Sequence, residues 1–579
     1  MAGRMLVATV VCAAALVASA PASGAAPDAS CVASWPMYQH DLGHSGSSAC
    51  SAVNALTVHA LVPSWFVRTV GSVTATPSVF DDVVYVGDST GEFYALDESS
   101  GARIWTFSST DNALHDDQHH AGFGLFTSSP AIARVPGGPA DPTVFVGGGG
   151  TLFALDARTG HPIWAQDLDP ATPESHIEIE SSPVVDTSTS PPEVIVGDDD
   201  NGGTHVDVTG IQAFNAVSGA LLWKYEPEAD AVVHSLSGQD GTGDACGDVW
   251  SSPALDPAFI DPAGPNSAGR QITASGRSSA DGLVVFGTGN CAADPDPATA
   301  AAHGDAAVTE GLFGLDAVTG ERVWSFFEPP NLYNTGSLTE PGGGDDDFGA
   351  SPLLVHLPGP GAGTEAVVDG GKSGFVYCLR ESDGALLWRT QDAQPGQLGP
   401  SLVGSLGGSI GSPSVGTVAG RPVVFLTSAI PLPFTNDGIN EHASHPVPCL
   451  GTSLPVCPDT SLLTDPTRTM SVHAVDAATG KVLWQAVSLP TYAAASFTNG
   501  VVFAPSTVGF SVTAYDAASG LPLWTFPLGA APSSGVSVAG SRIFLGAGTA
   551  LETLDGVSLP PQLKGVWSFE VPPALQGVG

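Results

Sequence analysis

The pattern that recurs along the chain is an apolar residue, a variable residue, Leu and Asp, followed by a Gly turn and a Trp four residues after the Gly. Tyr94-Ala95-Leu96-Asp97 leads to Gly101 and Trp105, and Phe153-Ala154-Leu155-Asp156 leads to Gly160 and Trp164. Further copies end at Trp223, Trp324, Trp388, Trp484 and Trp524, with Gly219, Gly320, Gly384, Gly480 and Gly520 four residues before them, which makes seven copies. Each copy predicts two short strands joined by a tight turn, because Asp hydrogen-bonds forward into a turn and Gly accepts the positive φ it needs. Asp97, Asp156, Asp316, Asp476 and Asp516 keep a fixed place in that turn and are therefore assigned to structure rather than to chemistry. After each Trp comes a run of small residues ending in Pro, as in Thr74-Ala75-Thr76-Pro77, Ser128-Ser129-Pro130, Ser181-Ser182-Pro183, Ser251-Ser252-Pro253, Ala350-Ser351-Pro352 and Gly411-Ser412-Pro413. An apolar strand follows it, such as Val83-Val84-Tyr85-Val86.

One unit is thus a small inner strand, an apolar strand, the Leu-Asp strand and the Trp strand, which is the four-stranded blade of a propeller. Trp65 precedes the first complete unit and supplies an eighth outer-strand Trp. The C-terminal unit, from Ser533 through Leu554-Asp555, lacks its Gly turn and a well-placed Trp, and the Trp65 strand is expected to complete it. The predicted fold is all-β, an eight-bladed β-propeller of four-stranded antiparallel blades whose ring is closed by N- and C-terminal strands, with no long free edge. Successive Trp residues of the pattern lie 40 to 101 residues apart. The shortest interval is a bare blade, and the excess is inserted loop. In an up-and-down blade the second-to-third strand connector and the blade-to-blade connector emerge on one face, opposite the Asp-Gly turns. The longest insertions use that face, where loops on a rigid scaffold carry function.

Composition narrows the setting. Of 579 residues 42% are apolar and only 13% charged, which excludes disorder throughout, and Gly 71 with Pro 48 favours turns over long helices. The net charge of −41 makes nucleic acid and anionic membranes repulsive partners. Residues 1–20 read as a signal peptide, with Arg4 in a basic start, an apolar stretch from Met5 to Val17, and Ala18-Ser19-Ala20 as a cleavage site. No second apolar stretch of that kind follows, so the mature chain is expected to be secreted, without a membrane span. The expected partition is 1–20 signal peptide, 21–60 N-terminal extension and 61–579 propeller. Seven cysteines remain after the signal. Cys31 with Cys50 and Cys449 with Cys457 are disulfide candidates by their nearness in sequence, Cys246 with Cys291 is a third, and Cys378 is expected to be the leftover buried thiol. No Cys-x-x-Cys-His occurs, so no covalent haem is expected.

The Ala-Leu-Asp-x-x-Thr-Gly-x-x-x-Trp repeats resemble those of the quinoprotein propellers that bind pyrroloquinoline quinone, with the nearest likeness to the polyvinyl-alcohol dehydrogenase-like branch. The resemblance covers nearly all of the mature chain, and four positions outside the repeat extend it. Val249-Trp250 before Ser251-Ser252-Pro253 resembles the inner strand whose Trp floors the quinone. Gly287-Thr288-Gly289-Asn290 resembles the motif whose Asn binds the cofactor's calcium ion. Asp345-Asp346-Asp347, before Phe348, resembles the motif whose last Asp is the catalytic base. Gly370-Gly371-Lys372 resembles the loop whose Lys or Arg contacts the quinone oxygens, in a chain with only four lysines. By blade topology all four fall on one face, Asn290 and Lys372 in second-to-third strand connectors and Trp250 and Asp347 at the ends of blade-to-blade connectors. Hydride abstraction from an alcohol needs a base, an electrophile and positive charge where the quinone oxygen becomes anionic. The resemblance assigns these to Asp347, to the cofactor with a calcium ion on Asn290 and Asp347, and to Lys372. It implies an alcohol or polyol as substrate and an external electron acceptor.

The sequence departs from the family in places. Counting back eleven residues from Asn215 to the family's metal-binding Glu lands on Thr204, a poor ligand. Asp198, Asp199, Asp200 or Asp207 could substitute, or the acidic run is a solvated loop. No adjacent Cys-Cys pair is present, and Gly349 stands where lanthanide-using relatives carry a further Asp. The alternative reading is a non-catalytic propeller that binds a protein or an extracellular polymer. A hydrolase has less support, since no Gly-x-Ser-x-Gly elbow stands out.

Overall fold

The computed structural model describes residues 33–109, 124–168, 177–200, 208–234, 236, 247–260, 282–289, 311–327, 347–361, 363–372, 374–391, 408–429, 470–549, 553–554, 557–558 and 562–578. Their strands form eight four-stranded antiparallel blades, and helix is confined to short 3-10 turns. Blade 1 is Ser78–Phe80, Val83–Gly87, Glu92–Asp97 and Arg103–Ser108, from the axis outward. Blade 3 contains Val184–Asp186, Glu193–Asp200, Gly210–Asn215 and Leu221–Glu226, with Ala231–Val233 added on its outer edge. Blade 4 is Ala254–Asp256, Leu283–Gly287, Gly311–Asp316 and Arg322–Phe327; blade 5 is Leu353–Leu357, Thr364–Gly370, Phe375–Arg380 and Leu386–Gln391.

Blade 8 closes the ring with Val62–Arg68 as its outer strand, as expected. Its third strand is not the Leu554-Asp555 segment. Gly565–Glu570 takes that place, between Arg542–Ala547 and Val62–Arg68, where Val566 on one face and Phe569 on the other are completely buried. Thr553–Leu554 instead pairs with Val557–Ser558 in a small separate hairpin.

The repeat is explained by what each Trp touches. Its Nε1–H donates to a backbone oxygen of the next blade: Trp105 to Ala157 (3.0 Å), Trp164 to Ala216 (3.2 Å), Trp223 to Ala317 (3.0 Å) and Trp324 to Glu381 (2.7 Å). The acceptor directly follows the residue that opens the turn. The indole lies over the turn glycine of that same neighbour. A Cβ at Gly160, where φ is +72°, would come within 2.5 Å of Trp105. Within its own blade the Trp pairs with the small residue of the motif, Ala95 with Trp105 and Ala154 with Trp164, where the strands bulge. Cys378 holds this position opposite Trp388, free and fully buried, and burial pushes its thiol up to about 12. The turn carboxylates accept amides as expected, Asp156 Oδ1 from Arg158 and Thr159.

The Ser-Pro runs build a hydrogen-bonded chain around the axis. Gly535 N–H donates to Thr76, and then the backbone N–H of Thr76, Ser129, Ser182, Ser252 and Ser351 each donates to the next blade's hydroxyl, ending at Ser412. The segment before the first strand follows this circle on the side downstream of the prolines. Its carbonyls at Pro36, Leu42, Gly43, Ser45 and Gly46 accept from Ile132, Leu255, Leu354, Val415 and Phe497, so it covers the inner edges of successive blades.

Candidate functional site

Three of the four residues singled out on the sequence meet at the other end of the inner strands, upstream of the prolines. Lys372 Nζ lies 2.5 Å from Asp347 Oδ2, with side chains 14% and 3% exposed. The same ammonium lies 5.1 Å from the centre of the Trp250 ring, within range of a cation–π attraction. The backbones are tied as well, since Lys372 N–H donates to Asp347 O at 2.8 Å and Ser409 N–H to Gly371 O at 3.0 Å. Asn290 lies outside the described residues, as do Asp207 and Cys31, Cys246, Cys291, Cys449 and Cys457. Cys50 is disulfide-bonded to a cysteine outside the described set.

The indole of Trp250 rests on glycines. A Cβ at Gly349 would collide with its six-membered ring, and one at Gly289 would stand 2.9 Å from Nε1. An Asp at Gly349 is thus excluded by the platform itself. The sequence carries a signal for this in the pairing of a lone inner-strand Trp with Gly-rich motifs in neighbouring connectors, but the contact becomes evident only in three dimensions.

The acidic run behind the platform departs from one of the two readings of it. Asp198, Asp199 and Asp200 are the buried end of strand Glu193–Asp200, not a solvated loop. Asp198 is fully engaged: Gly210 N–H and Gln212 Nε2 donate to it at 2.6 Å each, and Lys224 Nζ lies 3.5 Å away. Burial, and then Glu180, Glu178, Asp248 and Asp198, hold Asp199 well above the usual carboxylate range. Asp248, two residues before Trp250, is raised by burial and next by Asp200, with a smaller push from Asp347. A cation entering this corner would relieve that repulsion. Among the described residues no group of three or more His, Cys, Asp and Glu is arranged to hold a metal.

The molecule is therefore a closed propeller in which an ammonium, a buried carboxylate and an indole meet at one end of the inner strands. Its residues 35–259 match the family described as glucose/ethanol/alcohol dehydrogenase, beta-propeller domain, and residues 440–559 match that of the outer membrane protein assembly factor BamB. Quinohemoprotein alcohol dehydrogenase ADH IIB of Pseudomonas putida is 26% identical over 377 residues, covering 61% of this chain and 46% of the relative. Polyvinylalcohol dehydrogenase of a Pseudomonas species is 23% identical over 363 residues, covering 60% and 49%. The chain thus spans less than half the length of these curated relatives. The solved quinohemoprotein alcohol dehydrogenase of Comamonas testosteroni shares the fold, with a TM-score of 0.60 at 18% identity, over 93% of this chain and 80% of that one. In sequence and in fold the chain resembles the pyrroloquinoline-quinone-type, quinoprotein alcohol dehydrogenase-like β-propellers.

Proposed function

We propose that this protein is a secreted quinoprotein dehydrogenase that oxidises an alcohol or polyol with pyrroloquinoline quinone and passes the electrons to an external acceptor. The observation that carries the reading is the meeting of Trp250, Asp347 and Lys372, far apart in sequence, at one end of the inner strands. The residues fit the cofactor. The glycine-backed indole gives a flat stacking surface, worth about 0.5 to 1.5 kcal/mol beyond burial, and Lys372 gives positive charge for an anionic oxygen. Asp347 and Asn290 are the oxygen donors that would hold calcium. When bound, the quinone supplies the electrophile that takes the hydride. In this reading Asp347 takes the hydroxyl proton of the alcohol, and Lys372 Nζ would offset the negative charge that the bound quinone's oxygens acquire.

Export through the 1–20 signal accords with the disulfide at Cys50, for which Cys31 is the proposed partner. Cys246 with Cys291 and Cys449 with Cys457 are the remaining proposed pairs, and no helix among the described residues is long and apolar enough to cross a membrane. A second reading, favoured by the match of residues 440–559 to an assembly factor, is a silent propeller that binds a protein or polymer.

Spectroscopic titration of the purified protein with quinone and calcium, followed by dye reduction with primary, secondary and polymeric alcohols, separates the two. Saturable binding with alcohol-dependent reduction is expected; neither across that panel leaves the binding scaffold. Asp347→Asn is expected to lower turnover by about 100-fold or more while circular dichroism shows the same folded β structure. Undiminished turnover removes Asp347 from the role of base.

A further inference from the structure

Blade 5 holds the end of its second strand differently from four of the other blades. In those four that strand carries Gly147, Gly197, Gly287 or Gly546 in its last part, and the glycine N–H donates to a serine that opens the inner-strand run: Ser128 (3.4 Å), Ser181 (3.1 Å), Ser251 (3.0 Å) or Ser534 (3.0 Å). The residue before each glycine is Val146, Val196, Phe286 or Leu545, all apolar and fully buried. Blade 5 reverses both choices. Its inner run begins with Ala350, which has no hydroxyl, and the residue before Gly370 is Asp369, also fully buried. Asp369 Oδ1 accepts the Gly370 N–H at 2.8 Å.

A carboxyl in an apolar layer is costly, and here its second oxygen, Oδ2, has no hydrogen-bond partner. Burial holds the group well above the usual carboxylate range. The location suggests what this arrangement secures. Gly370 is followed by Gly371 and Lys372, and the turn closes with Gly371 N–H on Phe375 O and Gly374 N–H on Gly371 O. Gly349, beside Ala350, carries the Trp250 ring. The ordinary serine latch would come from the run that supports the platform; Asp369 moves the latch onto the strand that leads into the lysine loop.

We propose that Asp369 is a positioning residue: by latching Gly370 N–H it sets the loop on which Lys372 meets Asp347 and Trp250. The proposal rests on reading that trio as the working site, and its main test does not require turnover. The chain's four lysines are Lys224, Lys372, Lys481 and Lys564, so acetylation rates can be followed peptide by peptide. Lys372 is nearly buried, Lys481 and Lys564 are exposed, and fully buried Lys224 reports any general loosening.

Asp369→Val, which gives blade 5 the residue type of those four blades, is expected to raise acetylation of Lys372 about fivefold with Lys224 unchanged. Asp369→Asn keeps an acceptor oxygen and is expected to label as wild type. The double variant Asp369→Val/Ala350→Ser supplies the serine latch of those blades and is expected to return Lys372 to its wild-type rate. Three results overturn the proposal: no change at Lys372 in Asp369→Val, a parallel rise at Lys224, or no recovery in the double variant. If quinone titrations run beside the labelling show no binding to wild type while the lysine pattern holds, the functional reading fails and the latch stands.

Discussion

Asp198 and Lys224 lie 3.5 Å apart with side chains 0% and 1% exposed, and the lysine ammonium also donates to Val208 O at 2.6 Å. A buried pair of this kind offers modest net stability, but removing one partner leaves a buried charge uncompensated. Lys224→Met is therefore expected to cost about 3 kcal/mol, seen as a lower denaturation midpoint. Adding Asp198→Asn should recover much of the loss, and a loss that simply adds in the double variant would show that the two groups are not coupled. The contrast with Lys372 shows what a sequence reveals at this scale. Lys372 stood out because it follows two glycines in a connector that already resembled a cofactor loop. Lys224, equally rare in this chain, sits between Trp223 and Tyr225 in an outer strand and looks like any repeat position. Its partner lies two strands away, a distance that register sets and spacing along the chain does not. Asp369 was hidden for the same reason, since its role depends on a hydroxyl that Ala350 lacks.

At the scale of the element, the join between blades is a Trp of one set into the Asp-Gly turn of the next, so the turn glycine serves two strands at once. Gly160→Ala puts a methyl 2.5 Å from Trp105 at a φ of +72°, and strain and displaced packing together should cost about 2 kcal/mol, measured by calorimetry. A neutral outcome would mean that the indole can tilt away freely. The residue after the one that opens the turn is Ala at 157, 216, 317, 477 and 517, but the joint between blades 8 and 1 carries Glu98 at the matching place and that between blades 4 and 5 carries Glu381. Burial first, then Asp256 and Glu365, push the Glu381 carboxyl up to about 8 from 4.5. The folded state thus favours the protonated acid, and the stability this lends is complete below about pH 4.5 and is lost as pH rises through about 8. Glu381→Gln fixes the neutral form. Its melting temperature relative to wild type should climb between pH 5 and pH 9, and a constant difference would place the proton elsewhere. The repeat made such joints predictable in position, whereas the acids in two of them, Glu98 and Glu381, follow no pattern along the chain.

For the whole molecule, the ring was legible because every blade reuses one pattern. The belt around its axis was not, since the segment from Trp35 to Ser47 contains no repeat and joins the blades largely through backbone atoms, which any sequence supplies, with side-chain bonds from Tyr38, Gln39 and His44 that follow no pattern. The third strand of blade 8 was misplaced because the Leu554-Asp555 motif outlived its structural use, while Gly565–Glu570, which lacks the motif, buries apolar residues on both faces. Charge acts on the same scale. With 58 acidic and 17 basic residues, attractive pairs such as Arg380 with Asp383 (2.8 Å) are outnumbered, and the summed surface repulsion opposes the compact state. Salt screens repulsion and attraction alike, but the repulsion is the greater of the two and so loses more. The Debye length falls from about 30 Å at 0.01 M to about 8 Å at 0.15 M, so the melting temperature should rise with sodium chloride, steeply below about 0.2 M and slowly above it. Salting-out would instead give a rise that continues linearly to molar concentrations. A melting temperature that falls over the first 0.2 M would mean that the local pairs outweigh the net charge, and that the 41 excess negative charges are spread widely enough to cost the fold little.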